Sequence, residues 1–233
     1  MDYGKEIAKA GLEIGAIQLR PNNPFQWASG YRMPIYNDNR MFLFNDKDRK
    51  LITEGFYDLA NTLYPFHDSA NGLPFSVIAG TSTSGIPWGA FLVDKFEEVA
   101  FVYVRDKPKD HGLKNQIEGI DAKKDLEGRN VILIEDLIST GGSSARAVQA
   151  VRDANGVCNS CLSIFDYGLN KAQQAFDNLD PKCKVHSLLI YDTLLDVAKE
   201  TGYIDEEQEK MLAEWRADPF GWGEKHGFPK VER

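Results

Sequence analysis

The sequence predicts an α/β fold with a doubly wound, mainly parallel sheet. Apolar runs of strand length alternate with segments of helical periodicity over roughly 120 residues, as in sheets whose strands are joined by crossover helices. Two of these strands end in polar, helix-opening turns, at Gly80–Gly85 and Glu135–Ser143. Ligands of such sheets bind at the carboxyl ends of the strands. We therefore expect the ligand at that edge.

Composition limits the function classes. A chain of 233 residues with 42% hydrophobic content suits one globular domain with a small appendage. The net charge of −8 and pI near 5.1 argue against a nucleic-acid or membrane surface, although a local basic patch can still bind an anionic substrate. No signal sequence is evident at the N-terminus, and no apolar run approaches the ~18 residues of a membrane span. We expect a cytoplasmic protein with no nucleic-acid or membrane partner.

Three cysteines make a disulfide framework improbable. Cys158, Cys161 and Cys183 lie near the entry ends of predicted core strands, in which cysteine is a common buried residue. Together with His186 they could also supply four zinc ligands. We favour the core interpretation.

The N-terminal third predicts helices around an irregular segment. Tyr3–Ala16 has apolar residues at helical spacing, with Gly15 near its end. Residues 18–40 are too rich in Pro and Asn for a helix and predict two short strands and a turn. Lys47–Leu63 predicts a helix that ends before Tyr64-Pro65.

The rest of the chain predicts the sheet and its covering helices. The predicted strands are Phe75–Ala79, Val99–Val104, Val131–Ile134, Ser160–Asp166 and Val185–Tyr191. The predicted helices are Ile86–Phe96, Ser143–Asn155, a segment around Gln173, and Asp205–Ala217. Dense charge with Pro and Gly predicts a mobile loop at Arg105–Gly119. The expected units are 1–45 (helix and irregular segment), 46–200 (α/β core) and 201–233 (helix and aromatic tail).

The turn after Val131–Ile134 has the chemistry of a ribose-5-phosphate site. Carboxylates at the end of a buried strand, here Glu135 and Asp136, can accept hydrogen bonds from sugar hydroxyls or hold magnesium through water. Ser139–Ser144 then offers backbone N–H groups and hydroxyls at a helix N-terminus, which favours an anion. Neither G-x-x-x-x-G-K-[ST] nor G-x-G-x-x-G follows the strand. The alternative is an ordinary turn with an N-cap serine.

Two further segments could bind anions. The hydroxyl-rich turn Gly80–Gly85 repeats the strand, loop and helix arrangement and suits a second phosphate group, although such turns are often only solvated. The loop at Arg105–Gly119 concentrates cations in an acidic protein: Arg105, Lys107, Lys109, His111 and Lys114. Charged loops usually just face solvent.

Three strings resemble one enzyme family. Val131–Ser143 resembles the phosphoribosyl-pyrophosphate (PRPP) signature of type I phosphoribosyltransferases. W-A-S-G-x-x-x-P-I-Y-x-D-N-R at Trp27–Arg40 resembles the substrate hood of orotate phosphoribosyltransferases, and R-x-K-P-K-x-H-G within Arg105–Gly119 resembles their catalytic lid. The resemblance implies the type I phosphoribosyltransferase fold with a small N-terminal hood. It also implies conversion of orotate and PRPP to orotidine 5′-monophosphate and pyrophosphate in pyrimidine biosynthesis.

The family implies partners and roles for individual residues. Mg²⁺ would be held mainly through PRPP and water, in a homodimer whose lid residues Arg105, Lys109 and His111 reach the neighbouring subunit's site. Lys109, Glu135 and Asp136 would be catalytic. The residues implied to bind PRPP are Arg105, Lys109, His111, Glu135, Asp136, Leu137, Ile138, Ser139, Thr140, Gly141, Gly142 and Ser143. The pyrophosphate loop would be Thr81, Ser82, Thr83 and Ser84, and the orotate-binding residues Ser29, Gly30, Tyr36 and Ser139.

This chain departs from the better-known bacterial branch of that family. Ala28, Ser84 and Asp106 stand where lysines are expected, and Tyr167 replaces an arginine that often contacts orotate. Orotate's carboxylate therefore needs other donors, such as Ser139, Arg32 or backbone N–H groups, and Lys107 is expected to compensate partly for Asp106. Two alternatives remain: a purine phosphoribosyltransferase, which has no need of the hood string, and a PRPP-sensing regulator without turnover.

Overall fold

The computed structural model describes residues 1–27, 29–65, 75–107, 116–121 and 124–231. Helix α1 (Tyr3–Glu13) is capped by Asp2, whose side chain accepts a hydrogen bond from the Lys5 N–H at 3.1 Å. Four short strands pair as two antiparallel ladders, β1 with β4 and β2 with β3. These strands are β1 (Ile17–Leu19), β2 (Phe25–Gln26), β3 (Arg32–Met33) and β4 (Ile35–Asn37). A 3-10 helix at Asn39–Leu43 leads to α2 (Asp46–Leu63). We call residues 17–43 the hood.

A six-stranded sheet forms the centre of the protein. Its strands are β5 (Val77–Thr81), β6 (Ala100–Val104), β7 (Ile117–Glu118), β8 (Asn130–Ile138), β9 (Val157–Asp166) and β10 (Lys184–Ile190), in the order β10-β9-β8-β5-β6-β7. All neighbours are parallel except β7, which pairs antiparallel with β6 at the edge. The crossover helices are α3 (Gly85–Val93), α4 (Gly142–Asp153) and α5 (Asn170–Asp177). From β5 the chain winds outward through β6, then returns to β8 on the other side of β5. A topological switch point therefore lies between β5 and β8.

Strand β8 shows why the apolar run is continuous. Ile132 and Ile134 belong to the core on one face of the sheet, and Val131 and Leu133 to the core on the other. A parallel strand covered on both faces needs apolar side chains at successive positions. The pattern fixes β8 in the middle of the sheet.

The C-terminal segment returns to the hood. Helices α6 (Tyr191–Glu200), α7 (Glu206–Ala217) and α8 (Trp222–Lys225) follow β10. We call residues 218–231 the tail. The Val231 N–H donates to the Gly30 carbonyl at 3.0 Å, and the ring of Phe220 meets the ring of Tyr31 edge-on at 5.1 Å. The hood is thus covered by the end of its own chain.

The predicted doubly wound, mainly parallel sheet is confirmed, with element ends that shift by up to four residues. The prediction of a loop throughout Arg105–Gly119 was wrong at its end, because Ile117 is buried and pairs in β7 against β6. β8 runs through the two acids to Ile138 rather than ending at Ile134, because Ile138 is itself buried in the core. Helix α6 was not predicted, since it follows β10 directly without a Gly or Pro between them.

Within the described ranges, the structure has no helix with the length and hydrophobicity required to cross a membrane. In the same ranges, Cys158, Cys161 and Cys183 are free and buried. No group of three or more His, Cys, Asp or Glu side chains there is arranged to hold a metal ion.

Candidate active site

A cavity of about 210 Å³ opens at the switch point, between the carboxyl ends of β5 and β8. Its lining comes from the ends of β5, β6 and β8, from the loops that follow β5 and β6, and from the first turns of α4. The lining residues are Thr81, Ser82, Thr83, Ser84, Val104, Arg105, Asp106, Gln116, Glu135, Asp136, Leu137, Ser143, Arg146 and Ala147. The cavity thus brings the predicted pyrophosphate loop, the acid pair and the start of α4 together.

Glu135 is buried and held by three hydrogen bonds. The Thr81 hydroxyl donates to Oε1 at 2.7 Å, and the Asp136 N–H donates to the same oxygen at 3.0 Å. The Ser144 hydroxyl donates to Oε2 at 2.8 Å. Donors to both oxygens fix the orientation of the carboxylate. Glu135 therefore links β5, β8 and α4 at the floor of the cavity.

Asp136 lies beside Glu135, and the pKa of its carboxyl is raised. Burial raises the pKa of the Asp136 carboxyl to about 7, and the neighbouring Glu135 carboxylate adds to the rise. The Asn39 amide donates to the Asp136 carbonyl at 2.7 Å and so ties the hood to the site. Near pH 7 the Asp136 carboxyl can therefore gain or lose a proton, and a cation beside it would favour its ionised form.

The turn after the acid pair packs closely against α5. Gly141 has a φ of +72°, and a Cβ there would lie 3.0 Å from the Ala172 Cα. The first N–H groups of α4 have no acceptor within the helix, and Ser143 exposes its side chain to the cavity. Ser139–Gly142 forms the turn without lining the cavity, and the Ile138 side chain is fully buried.

The loop after β5 is positioned by close backbone packing. A Cβ on Gly85 would lie 2.3 Å from the Ile134 carbonyl oxygen, so only glycine fits where α3 begins against β8. The Ser82 N–H donates to the Val104 carbonyl at 2.8 Å. The Ser82 hydroxyl accepts from the Asp106 N–H at 3.2 Å. This loop is therefore fixed against the loop that follows β6.

Only part of the predicted lid can be located. Arg105 lines the cavity, with Nη1 3.5 Å from Glu118 Oε1, and its backbone pairs with Gln116 at the base of the loop. Lys109, His111 and Lys114 lie outside the described residues, and so does Ala28 of the hood.

Three of the four predicted base-binding residues, Ser29, Gly30 and Tyr36, lie in the hood, and the fourth, Ser139, lies in the turn after β8; none of them lines the cavity. Tyr36 is partly exposed and its ring lies 5.6 Å from that of Phe25. Gly30 is buried with a φ of +84° and Ser29 is exposed. Tyr167 is fully buried, and burial raises the pKa of its hydroxyl, with smaller contributions from Tyr36 and Asp136. The ring of Tyr167 lies 6.3 Å from that of Trp27, so Tyr167 packs against the hood.

Comparison with known proteins identifies the family. The model of the phosphoribosyl transferase domain matches residues 52–168. The chain is 41% identical over 222 residues to an orotate phosphoribosyltransferase of Cytophaga hutchinsonii, covering 95% of this chain and 99% of that protein. It belongs to the orotate phosphoribosyltransferase family. The resemblance predicted from the three strings is confirmed, and the chain is a phosphoribosyl-transferring enzyme.

Solved structures agree on the fold. The orotate phosphoribosyltransferase of Aeropyrum pernix matches with a TM-score of 0.63 at 26% identity, covering 85% of this chain and 99% of that one. The UMP synthase of Leishmania donovani matches with a TM-score of 0.69 at 24% identity, covering 92% of this chain and 42% of that one. The type I phosphoribosyltransferase fold is confirmed.

Three residues of this orotate phosphoribosyltransferase site were missed from the sequence. Asn39 stands inside the quoted D-N-R of the hood string, which was the available signal. Gln116 closes the base of the loop after β6, with its amide 3.2 Å from the Arg105 carbonyl. Arg146 lies one turn into α4 and lines the cavity, where nothing in its local sequence separates it from an ordinary exposed helix residue.

Proposed function

We propose that this enzyme transfers the 5-phosphoribosyl group of PRPP to N1 of orotate, with the residues of the switch-point cavity binding PRPP. The observation that carries this proposal is the acid pair, with Glu135 held by three donors between two anion-binding turns. In the reaction, the bond from the anomeric carbon to the diphosphate oxygen breaks and a bond to N1 forms. The N1 proton leaves to water or to diphosphate. The products are orotidine 5′-monophosphate and pyrophosphate.

The charge changes in this step define what the protein must do. The leaving diphosphate gains negative charge while the ribose ring becomes cation-like, so catalysis consists of positioning and charge stabilisation. We assign the ribose hydroxyls to Glu135 and Asp136, whose negative charge also favours the developing positive charge on the ring. We assign the 5-phosphate to the turn at Ser139–Ser143 and the diphosphate to the loop at Thr81–Ser84.

The lining residues fit a magnesium ion that keeps most of its ligands from water and substrate. The cavity offers carboxylate and hydroxyl oxygens, the donor type that Mg²⁺ prefers, and Asp136 gains a counter-charge for its unfavourable ionised form. Asp136 would hold the ion through water, with Thr81–Ser84 beside the diphosphate. Bound there, Mg²⁺ supplies positive charge to the leaving diphosphate.

We extend the proposal to the cations of the lid and to a dimer. Lys109 would place a positive charge on the leaving group, with Arg105 and His111 holding the diphosphate of the neighbouring subunit's site. Support comes from the lid string and from the position of Arg105 at the mouth of the cavity. The three free, buried cysteines and the acidic composition support a cytoplasmic enzyme.

The deciding experiment is pyrophosphate release with PRPP and Mg²⁺, with the base varied. We expect turnover with orotate and background rates with adenine, guanine, xanthine and uracil. Turnover with a purine and none with orotate would overturn the assignment. PRPP binding without release of pyrophosphate on any base would indicate the regulator instead.

The shared lid is tested by mixing two inactive variants, Lys109→Ala and Asp136→Asn, and letting the subunits exchange. If the lid acts across the dimer, each heterodimer contains one site with both native residues, so random exchange restores about one quarter of the wild-type rate. If the lid serves its own subunit, no site is complete and the mixture stays inactive. Each variant alone, taken through the same exchange, is the control.

A further inference from the structure

Arg146 reaches between the two anion-binding turns. It projects from the first turns of α4 and lines the cavity with a side chain that is 66% exposed. Its Nη2 lies 3.4 Å from Asp106 Oδ1, in the loop that follows β6. Its Nη1 would lie 3.6 Å from a Cβ built on Gly142, so the guanidinium also stands over the phosphate turn. One cation thus faces both ends of the cavity.

Its partner Asp106 places a negative charge in the cavity that is assigned to an anionic substrate. The Asp106 N–H donates to the Ser82 hydroxyl, which places this carboxylate beside the loop assigned to diphosphate. A carboxylate there repels a diphosphate, and Arg146 is the described side chain that pairs with it. The side chains of both partners are exposed to solvent, and exposed ion pairs contribute little to stability. Arg146 can therefore leave Asp106 at little cost.

We propose that Arg146 is a diphosphate-binding residue of this enzyme, released from Asp106 when PRPP or pyrophosphate enters. The inference rests on the proposed function and deepens it. A guanidinium can donate to two phosphate oxygens at once. A diphosphate also carries more negative charge than the exposed Asp106 carboxylate, so it binds the guanidinium in preference to Asp106. Nη2 lies 3.4 Å from Asp106 Oδ1, and the Asp106 N–H donates to the Ser82 hydroxyl, so Arg146 lies beside the loop assigned to the diphosphate.

The test uses calorimetry to measure the binding of magnesium pyrophosphate, and of ribose 5-phosphate, to the full chain in the absence of orotate. Arg146→Gln should weaken pyrophosphate binding roughly tenfold, the loss of one charge-assisted contact, and leave ribose 5-phosphate binding unchanged. Arg146→Lys should fall between, since it keeps the charge and loses the fork. Arg129→Gln, an exposed arginine paired with Glu127 at the far end of β8, is the matched control and should change neither.

Asp106→Asn separates ligand binding from a structural role. If Arg146 binds diphosphate, removing the competing carboxylate should tighten pyrophosphate binding or leave it equal, opposite to Arg146→Gln. If the pair only holds the loop, both variants should weaken binding alike, and the proposal is overturned. Weakened ribose 5-phosphate binding alone would also overturn it. A wild type that binds pyrophosphate but shows no orotate-dependent turnover would count against the proposed function and not against Arg146.

Discussion

Replacing Asp136 by Asn should make this enzyme more stable at neutral pH while it removes activity. The carboxyl is buried beside Glu135, and burial followed by the charge of Glu135 raises the pKa of Asp136 from 3.8 to about 7. An unfolded chain has neither effect. The folded protein therefore binds a proton at Asp136 that the unfolded chain has already released between about pH 4 and pH 7.

The sign and size of the effect follow from this difference in pKa. A group whose pKa is raised by folding stabilises the protein below its unfolded pKa, and that contribution is lost as pH rises to the folded pKa. At about 1.4 kcal/mol for each tenfold change in proton affinity, the wild type loses up to roughly 4 kcal/mol between pH 4 and pH 8. Asn cannot ionise, so Asp136→Asn should avoid the loss. Relaxation and water entry should reduce the observed gain to about 1–2 kcal/mol.

Urea unfolding of both proteins at pH 4.5, 6, 7 and 8 measures the difference in free energy. The gain of Asp136→Asn over wild type should grow steadily with pH and vanish toward the acid end. Asp180→Asn, which removes an exposed acid far from the site, controls for net charge and should show no such trend. A difference that is independent of pH, or a variant less stable than wild type at pH 8, would refute the reasoning.

Three further substitutions test the packing around the site, each by urea unfolding with PRPP binding as the second measurement. Thr81→Val removes the 2.7 Å donor to buried Glu135 and should cost about 2 kcal/mol and weaken PRPP binding, whereas Thr81→Ser should be mild. Gly85→Ala places a Cβ 2.3 Å from the Ile134 carbonyl and should cost about 3 kcal/mol or more; near-native stability would contradict the close approach. Trp222 is buried in α8, within the tail, and Trp222→Ala should lower the free energy of unfolding by about 3–5 kcal/mol. Orotate binding, measured in addition, should weaken more than PRPP binding. Equal losses of the two affinities would count against a role of the tail in supporting the hood.

The sheet could be predicted because its signal is local. β8 carries successive apolar residues to both faces, and the polar turns after β5 and β8 mark the edge of the sheet where the ligand was expected, whereas the strand order was not predicted. The placement of Glu135 at a strand end was equally local. Its bonds to Thr81 and Ser144 were not, since those residues lie 54 positions before it and nine after it, and no spacing rule joins them.

The parts that were missed depend on distant partners. Asn39 matters because its amide meets a carbonyl 97 positions away, and Gln116 because it closes a loop on Arg105. The prediction of β7 would have required the information that Ile117 is buried beside β6. Helix α6 had a regular apolar pattern but no terminator before it, so strand and helix signals ran together. For Asn39, Gln116 and β7 the deciding contact is tertiary, and sequence pattern alone does not reveal it.

The acid pair shows why this site is a place where function opposes stability. Glu135 accepts hydrogen bonds from three donors of the protein, so its carboxylate has a fixed position in the cavity. Asp136 carries the unfavourable charge, which a sugar hydroxyl or a cation can stabilise and the folded protein alone does not. A ligand that supplies those groups stabilises the ionised Asp136, and this stabilisation adds to its binding free energy. The ligand obtains it only in the geometry that Glu135 imposes. The raised pKa of Asp136 is thus the energetic counterpart of its proposed role in binding PRPP.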